Sequence, residues 1–301
     1  MPELPDVLAY LTGLQRQIGG RRIDAIQLRS PFLVRTFEPK LDTAVGRRIV
    51  GFRRLGKRIV WALEDDLFLV IHLMIAGRFH WKKTGTRPTR KIDLAAFHFD
   101  SGTMLLTEAG SKKRASLHVV DGESGLADHD PGLEADLDAF TEVLKRRNHT
   151  LKRALTDPRL FSGIGNAYSD EILHAARLSP VKWTSRLSDE EVASLYAATR
   201  SILTDWCTRL QAEAEVAFPE KVTAFRPEMA VHGRYGKPCP VCATAVQEIA
   251  YASNETNYCP RCQTKGKVLA DRQLSRMLKD DWPKTIEDLE AHRGLASPNG
   301  A

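Results

Sequence analysis

Two places in the chain carry residues whose types and spacing could do chemistry. Cys239 and Cys242 stand in CPVC, Cys259 and Cys262 in CPRC, with sixteen residues between the pairs. That spacing lets four thiolates close a tetrahedron around one zinc ion. Four protein ligands leave no open position for water, so this zinc is structural and builds a surface. At the other end the chain opens Met1-Pro2-Glu3-Leu4-Pro5-Asp6. With Met1 removed, which a small second residue permits, Pro2 carries a free secondary amine with a reference pKa of about 8. Such an amine is partly unprotonated at neutral pH and can attack an electrophilic sugar carbon to form an iminium, with Glu3 beside it as acid or proton shuttle. On these residues alone, a capped N-terminal helix and nothing more is the favoured reading.

The elements that must position these groups follow from periodicity. Leu8, Leu11, Leu14 and Ile18 recur at helical spacing after Pro5, and Gly19-Gly20 ends the helix. From Arg21 to about Val120 the period becomes two. Residues 23–28, 58–63, 67–71 and 95–99 read as strands, and Glu64-Asp65-Asp66 and Asp100-Ser101-Gly102 as hairpin turns. A β-sandwich carrying the N-terminal helix is expected. Asp130-Pro131 signals a helix start, after which Leu133, Leu137, Phe140, Val143 and Leu144 form one apolar face and Leu151, Ala154 and Leu155 another. Residues 161–166, Phe-Ser-Gly-Ile-Gly-Asn, interrupt the helices before one restarts at Ala167. Ser188 with Glu191 makes a capping box for a long helix reaching about Glu213. Acidic residues on these helices are expected on solvent faces. Tyr251 and Tyr258 flank a β-hairpin that brings the Cys pairs together. Cys207, in an apolar helical pattern, is expected to be a core thiol.

Composition narrows the partners. The 301 residues suffice for two domains plus a finger, and 43% are hydrophobic. Lys and Arg outnumber Asp and Glu by 44 to 38, which favours a polyanionic partner. Arg47, Arg48, Arg53, Arg54, Lys57 and Arg58 fall within twelve residues that contain no acid, and Lys112-Lys113-Arg114 forms a second cluster. Such runs are solvated faces or phosphate contacts. Neither a secretory signal nor a run of about 18 apolar residues is present, so a membrane role is not expected and a reducing cytosol is. Met74 and Ile75, in His72-Leu73-Met74-Ile75-Ala76-Gly77, could protrude at a loop tip and fill a base stack. The glycines of Gly163-Ile164-Gly165-Asn166 allow close approach to a phosphate, with Asn166 adding a side-chain donor.

In this order, Pro-Glu-Leu-Pro, Arg-Arg-x-Gly-Lys, His-Leu-x-x-x-Gly, Gly-Ile-Gly-Asn-x-Tyr-x-Asp-Glu and Gly-Arg-x-Gly-x-Pro-Cys with the Cys pairs resemble the formamidopyrimidine-DNA glycosylase and endonuclease VIII family. The resemblance runs from Met1 to about Cys262. It implies an α+β multidomain chain: an N-terminal helix plus β-sandwich (1–125), a helix-two-turn-helix α domain (126–230) and a β-hairpin zinc finger (231–265); residues 266–301 then form a basic, partly helical C-terminal extension beyond where the family usually ends. It further implies Pro2 as nucleophile, Glu3 as general acid, Lys57 as the supporting base and phosphate ligand, and Asn166 as a phosphate grip. The reaction implied is excision of an oxidised base in base excision repair, with abasic-site lyase cleavage through a Schiff base on Pro2. Damaged DNA is the partner, one structural zinc the cofactor, and a cytoplasmic monomer, nucleoid-associated in a bacterium, the expected form.

The departures from the family pattern bear on which lesion is read. Where the family's finger places an Arg five residues before its third Cys, this chain has Asn254, a donor without charge or fork. The void-filling loop reads Ala109-Gly110-Ser111-Lys112-Lys113-Arg114 in place of Asp-Pro-Arg-Arg-Phe-Gly, and Ile75 holds the wedge position with Met74 one place early. Asp6 replaces a commoner Glu. A Gly-rich lesion-reading loop is not recognisable between Ala212 and Met229. Two alternatives therefore stand beside the glycosylase: an enzyme acting mainly on abasic sites or unusual adducts, and a zinc-containing DNA-binding protein without catalysis.

Overall fold

A computed structural model describes residues 1–129, 136–251, 254–269, 283–289 and 291. It divides into two compact units, Met1–Leu133 with Leu203–Ala224, and Glu134–Ile202 with Phe225–Ala301.

The first unit is a β-sandwich with a helix on it. Helix α1 (Leu4–Ile18) starts with Pro5 in its first turn, and the Asp6 carboxylate accepts the Glu3 N–H at 3.0 Å in a capping box. Its buried face, Val7, Tyr10, Leu14 and Ile18, joins the sandwich core, where Tyr10 meets Phe79 edge-on. The sheets each hold four antiparallel strands. One runs β2 (Ile49–Leu55), β3 (Arg58–Leu63), β4 (Leu67–His72), β8 (Ser116–Asp121). The other runs β1 (Ala25–Leu28), β6 (Asp93–Phe99), β7 (Gly102–Glu108), β5 (Gly77–Lys82). Trp61, Phe79 and Phe97 pack ring to ring between them.

Strands β3, β4 and β6 lie where period two placed them, and Asp65 and Asp66 take positive φ in the expected turn. Strand β1 starts two residues later than expected, because Ile23 bonds instead to the backbone of Gly46 and Arg47. Four strands were not expected. Strand β2 was masked by its arginines, and β7 is buried along its whole length, so polar Thr103, Thr107 and Glu108 break the alternation without reaching solvent.

The second unit begins, among its described residues, with α2 (Leu137–Lys145), capped by the Asp136 carboxylate accepting the Ala139 N–H at 2.9 Å. The start signalled by Asp130-Pro131, and Leu133, lie outside the described residues. Helix α3 (Leu151–Thr156), two turns and α4 (Asn166–Ala175) follow. Helix α5 (Asp189–Val216) carries the expected Ser188–Glu191 box, with reciprocal bonds of 3.0 and 3.3 Å, and runs three residues past Glu213. The finger is a hairpin of β9 (Gln247–Tyr251) and β10 (Asn254–Tyr258), followed by the short α6 (Pro260–Thr264). No helix among the described residues is long and apolar enough to cross a membrane. Cys207 is half-buried on α5 rather than in the core, although burial still pushes its thiol up to about 11.

Candidate active site and nucleic-acid interface

The N-terminus lies in a buried, charged setting. Pro2 and Glu3 are buried, Glu3 to 2% exposure, because α1 starts directly behind them and is itself packed into the sandwich. Lys57 reaches the same region from the two-residue turn between β2 and β3, where Gly56 takes a positive φ that suits glycine. Burial lowers the Met1 amine below the ordinary α-amino value. Glu3 and Asp6 oppose that shift, while Arg78 and Lys57 add to it. Lys57, 8% exposed, is likewise lowered by burial and partly restored by Glu3 and Asp6. Each of these groups therefore senses the others' charge.

His72 and Arg78 complete the surroundings. His72 ends β4, in register with Arg58 on one side and Ser116 on the other. Burial, then Arg58, Lys57 and His118, depress it to about 4, so it is neutral at physiological pH. His72 heads the His-Leu-x-x-x-Gly stretch, yet a terminal strand residue gives no sign in the sequence of facing a lysine from another hairpin.

The loop from β4 to β5 displays Ile75 at 58% exposure, while Met74, half-buried, takes a left-handed conformation. A Cβ on Gly77 would sit 2.3 Å from the Leu73 carbonyl oxygen, so the tight return needs glycine. Of the second basic cluster, Lys112 and Arg114 are exposed, whereas Lys113 folds back onto the carbonyls of Glu108 and Gly110. Lys113 thus holds its loop together, helped by the Glu108 carboxylate, which accepts the N–H groups of Arg114 and Ala115 at 2.8 and 3.1 Å. The first cluster is mostly paired as well: Arg47 with Asp65, Arg48 with Glu64, and Arg53 in a fork on Glu123.

Between Ala212 and Met229 the chain has a different use from a Gly-rich loop. Phe218 and Val222 pack on the sandwich core. Glu220 bonds His80 and the Trp81 N–H at 2.6 and 2.9 Å, and the Val222 carbonyl accepts from Arg78 at 2.7 Å. This stretch is a strap along β5.

In the second unit Asn166 is the first residue of α4, half-buried, with Gly165 as N-cap. Lys152 of α3 donates both to the Asn166 carbonyl and to Asp170, each at 2.6 Å. Asp170 also accepts from His232 Nδ1 at 2.8 Å and from the Asn257 N–H at 3.2 Å. Glu171 accepts the N–H groups of Ala230, Val231 and His232 at 2.7 to 2.9 Å. The expectation that acidic residues on these helices face solvent fails here, since Asp170 and Glu171 are buried. They hold the chain entering the finger, a long-range role that helix periodicity does not reveal. Asn254 starts β10, opposite Tyr251 in the hairpin.

The four cysteines come together as expected. Their sulfurs lie within 4.8 Å of one another, with separations of 3.4, 3.5 and 3.9 Å among the closer pairs. A tetrahedron with Zn–S bonds of about 2.3 Å sets its sulfurs about 3.8 Å apart, so the set fits one zinc ion. Backbone N–H groups of Val241 and Cys262 point at Cys239 and Cys259 sulfurs at 3.5 Å, as thiolates require.

The chain matches family models in three consecutive stretches. These are the formamidopyrimidine-DNA glycosylase N-terminal domain over residues 1–112, its H2TH domain over 129–212, and the zinc finger found in FPG and IleRS over 236–265. An uncharacterized formamidopyrimidine-DNA glycosylase-like protein of Mycobacterium tuberculosis is 41% identical over 148 residues, 49% of this chain and 91% of that protein. The formamidopyrimidine-DNA glycosylase of Listeria innocua is 30% identical over 275 residues, 87% of this chain and all of the relative. In three dimensions the Lactococcus lactis enzyme, non-covalently bound to DNA containing an abasic site, matches with a TM-score of 0.75 at 26% identity, over 87% of this chain and 99% of that one. Read together with the buried N-terminal site and the four-cysteine finger, these likenesses show that the chain belongs to the formamidopyrimidine-DNA glycosylase family.

Proposed function

We propose that this chain excises oxidised bases from DNA and cleaves the resulting abasic site, using the amine of Pro2 exposed by removal of Met1. The observation that carries the reading is the buried start of the chain, where Pro2 and Glu3 lie buried with Asp6 and Lys57, directly behind a Met1 amine that burial holds below its ordinary pKa. Once Met1 is removed, the Pro2 amine takes over this setting and, in its unprotonated form, attacks C1′ of an extruded nucleotide. The N-glycosidic bond breaks with its electron pair leaving on the base, which takes a proton from Glu3. The amine nitrogen loses its proton and its lone pair expels the ring oxygen, breaking C1′–O4′ with a proton delivered to O4′. The resulting C1′ iminium then draws electrons from C2′ as a proton is lost there. The C3′–O bond breaks, and a second elimination at C5′ follows in the same sense. Water releases the sugar fragment and returns the amine. Lys57 supports these proton transfers and holds a phosphate.

The remaining residues grip DNA in this reading. Ile75, with Met74 behind it, fills the stack vacated by the extruded base. Lys112 and Arg114 contact phosphates, and Asn166 with the first N–H groups of α4 holds another. Zinc, bound by Cys239, Cys242, Cys259 and Cys262, shapes the finger and takes no part in the reaction. The chain works as a monomer on damaged DNA in the cytoplasm, on the nucleoid in a bacterium. Segment 1–125 carries the chemistry, 126–230 and 231–265 the grip, and 266–301 extends beyond them.

Borohydride trapping on DNA with an abasic site tests this. The native chain is expected to form a covalent complex through its N-terminal residue, Pro2→Gly a complex through the new terminal amine at a reduced rate, and a form extended ahead of Pro2 none. Trapping through an internal lysine, or no complex from a chain that lacks Met1 and still binds DNA, would refute the Pro2 mechanism. Comparing rates on abasic and oxidised-base duplexes separates excision from a purely abasic-site activity, which the uncharged Asn254 in the finger favours.

A further inference from the structure

Helix α4 ends as informatively as it begins. Its penultimate turn carries Asp170 and Glu171, and one turn further on His174 is buried to 6% exposure with its Nε2 3.3 Å from the Cys239 sulfur. That separation suits an N–H donor to sulfur and is well beyond the roughly 2.0–2.1 Å of a zinc–imidazole bond, so His174 is not a fifth ligand. A zinc ion with four thiolates carries a net charge of about −2, and hydrogen bonds to the sulfurs offset it. The other such donors here lie in the Cys turns themselves: the backbone N–H groups of Val241 and Cys262, and Thr244, which bonds the Cys242 sulfur with both backbone and side chain. His174 differs because it comes from another part of the chain, 65 residues before Cys239.

We propose that His174 donates a hydrogen bond from Nε2 to the zinc-bound thiolate of Cys239, and so sets how firmly the finger retains its metal. It is a positioning residue for the metal site. Because Asn166 opens the same helix eight residues earlier, the two ends of one rod about 12 Å long join the proposed phosphate grip to the zinc site. The Asp170 and Glu171 bonds to residues 230–232 and 257 hold the rod's middle to the same finger. Gln263 adds a second tie, donating to the Leu178 carbonyl while accepting the Cys259 N–H.

The test uses the full-length zinc-loaded protein and reads metal, not repair. Zinc release to a chromogenic chelator is timed for native chain, His174→Phe and His174→Gln. His174→Phe is expected to lose zinc about tenfold faster or more, and His174→Gln, which keeps an N–H donor, to stay nearer the native rate. With cobalt in place of zinc, the thiolate-to-metal charge-transfer band of His174→Phe should move to lower energy, because an unbonded thiolate gives up its electrons more readily. Native-rate release from His174→Phe, or equally fast release from both variants with an unshifted band, overturns the proposal. Should His174→Phe fail to fold, nitrogen-15 spectra of the native protein decide: the Nε2–H tautomer supports the bond, and an Nδ1–H tautomer excludes it.

Discussion

The two units bury ionisable groups to different effect. In the β-sandwich, Glu3, Asp6 and Lys57 lie around a chain terminus, and burial moves both the amine and Lys57 toward their neutral forms. In the helix-and-finger unit, Asp170, Glu171 and His232 are buried as deeply, but each is held by bonds to Lys152, to one another or to backbone N–H groups. Burial alone therefore does not mark a reactive group. It makes protonation adjustable in one unit and fixes chain direction in the other.

The sharpest way to break that contrast is to remove one charge from each unit. Lys57→Met is expected to lower the rate of strand cleavage by about 10²–10⁴-fold, the usual range for a lost acid–base group. Its thermal midpoint should not fall, since an apolar chain of similar length replaces a buried ammonium without leaving it unsolvated. A variant that melts earlier but keeps its rate would make Lys57 structural and erase the contrast. In the other unit, Glu171→Ala leaves three N–H groups without their acceptor and should destabilise by about 3–5 kcal/mol in urea titration. The N-terminal amine should still be trapped on abasic DNA in the fraction that remains folded.

Titration sharpens the comparison further, because half-buried His72 and buried Glu171 shift in ways that oppose each other. His72 in the sandwich is depressed to about 4 from an unfolded value near 6.5. Between these the unfolded chain binds more protons, so His72 makes stability fall as pH drops through that window. Glu171 is raised, by burial first, with the three N–H bonds pulling it back. Its native form holds its proton longer, so its contribution is complete below the unfolded carboxylate pKa and is lost as pH rises through the folded value. His72→Gln should remove on the order of 2 kcal/mol of acid sensitivity between pH 6.5 and 4, an amount set by about 1.4 kcal/mol per pKa unit and reduced for partial solvent access. Glu171→Gln should change the profile in the opposite sense, removing a contribution that is lost as pH rises above the unfolded carboxylate pKa. Identical profiles for the two variants would show that the units do not differ in this respect.

What could be read in advance follows the same division. Local signals were legible: Pro5 at the start of α1, the Ser188 box, the finger hairpin and the four cysteines all depend on neighbours within a few residues. Strands β2, β5, β7 and β8 were not, because β2 is dense in arginine and β7 is buried on both faces. Of the site, Pro2, Glu3 and Lys57 were named in advance and Asp6 stands beside Glu3 in the local capping box, but their company of His72 and Arg78 depends on strand ends brought to them by the sandwich. Lys152, Asp170, Glu171 and His174 were missed as a set because their partners lie 14 to 87 residues away. Charge type announced them; only the fold shows that they face inward.

The smallest expected effect concerns the arginine run itself, where the contrast between committed and available charge recurs at the sandwich surface. Arg53 forks onto Glu123, and its guanidinium lies over the Phe68 ring at 4.8 Å. That bonding holds the Glu123 carboxyl below its ordinary range. An arginine already neutralised by a carboxylate displaces no counterion from a phosphate, so Arg53→Ala should leave the salt dependence of DNA binding as it is in the native chain. Lys112 is exposed, and Lys112→Ala should reduce the slope of log affinity against log salt by about one, uniformly across sequences. Binding isotherms at four salt concentrations measure both. A reduced slope for Arg53→Ala would show that DNA displaces Glu123, and that Arg53 belongs to the nucleic-acid face after all.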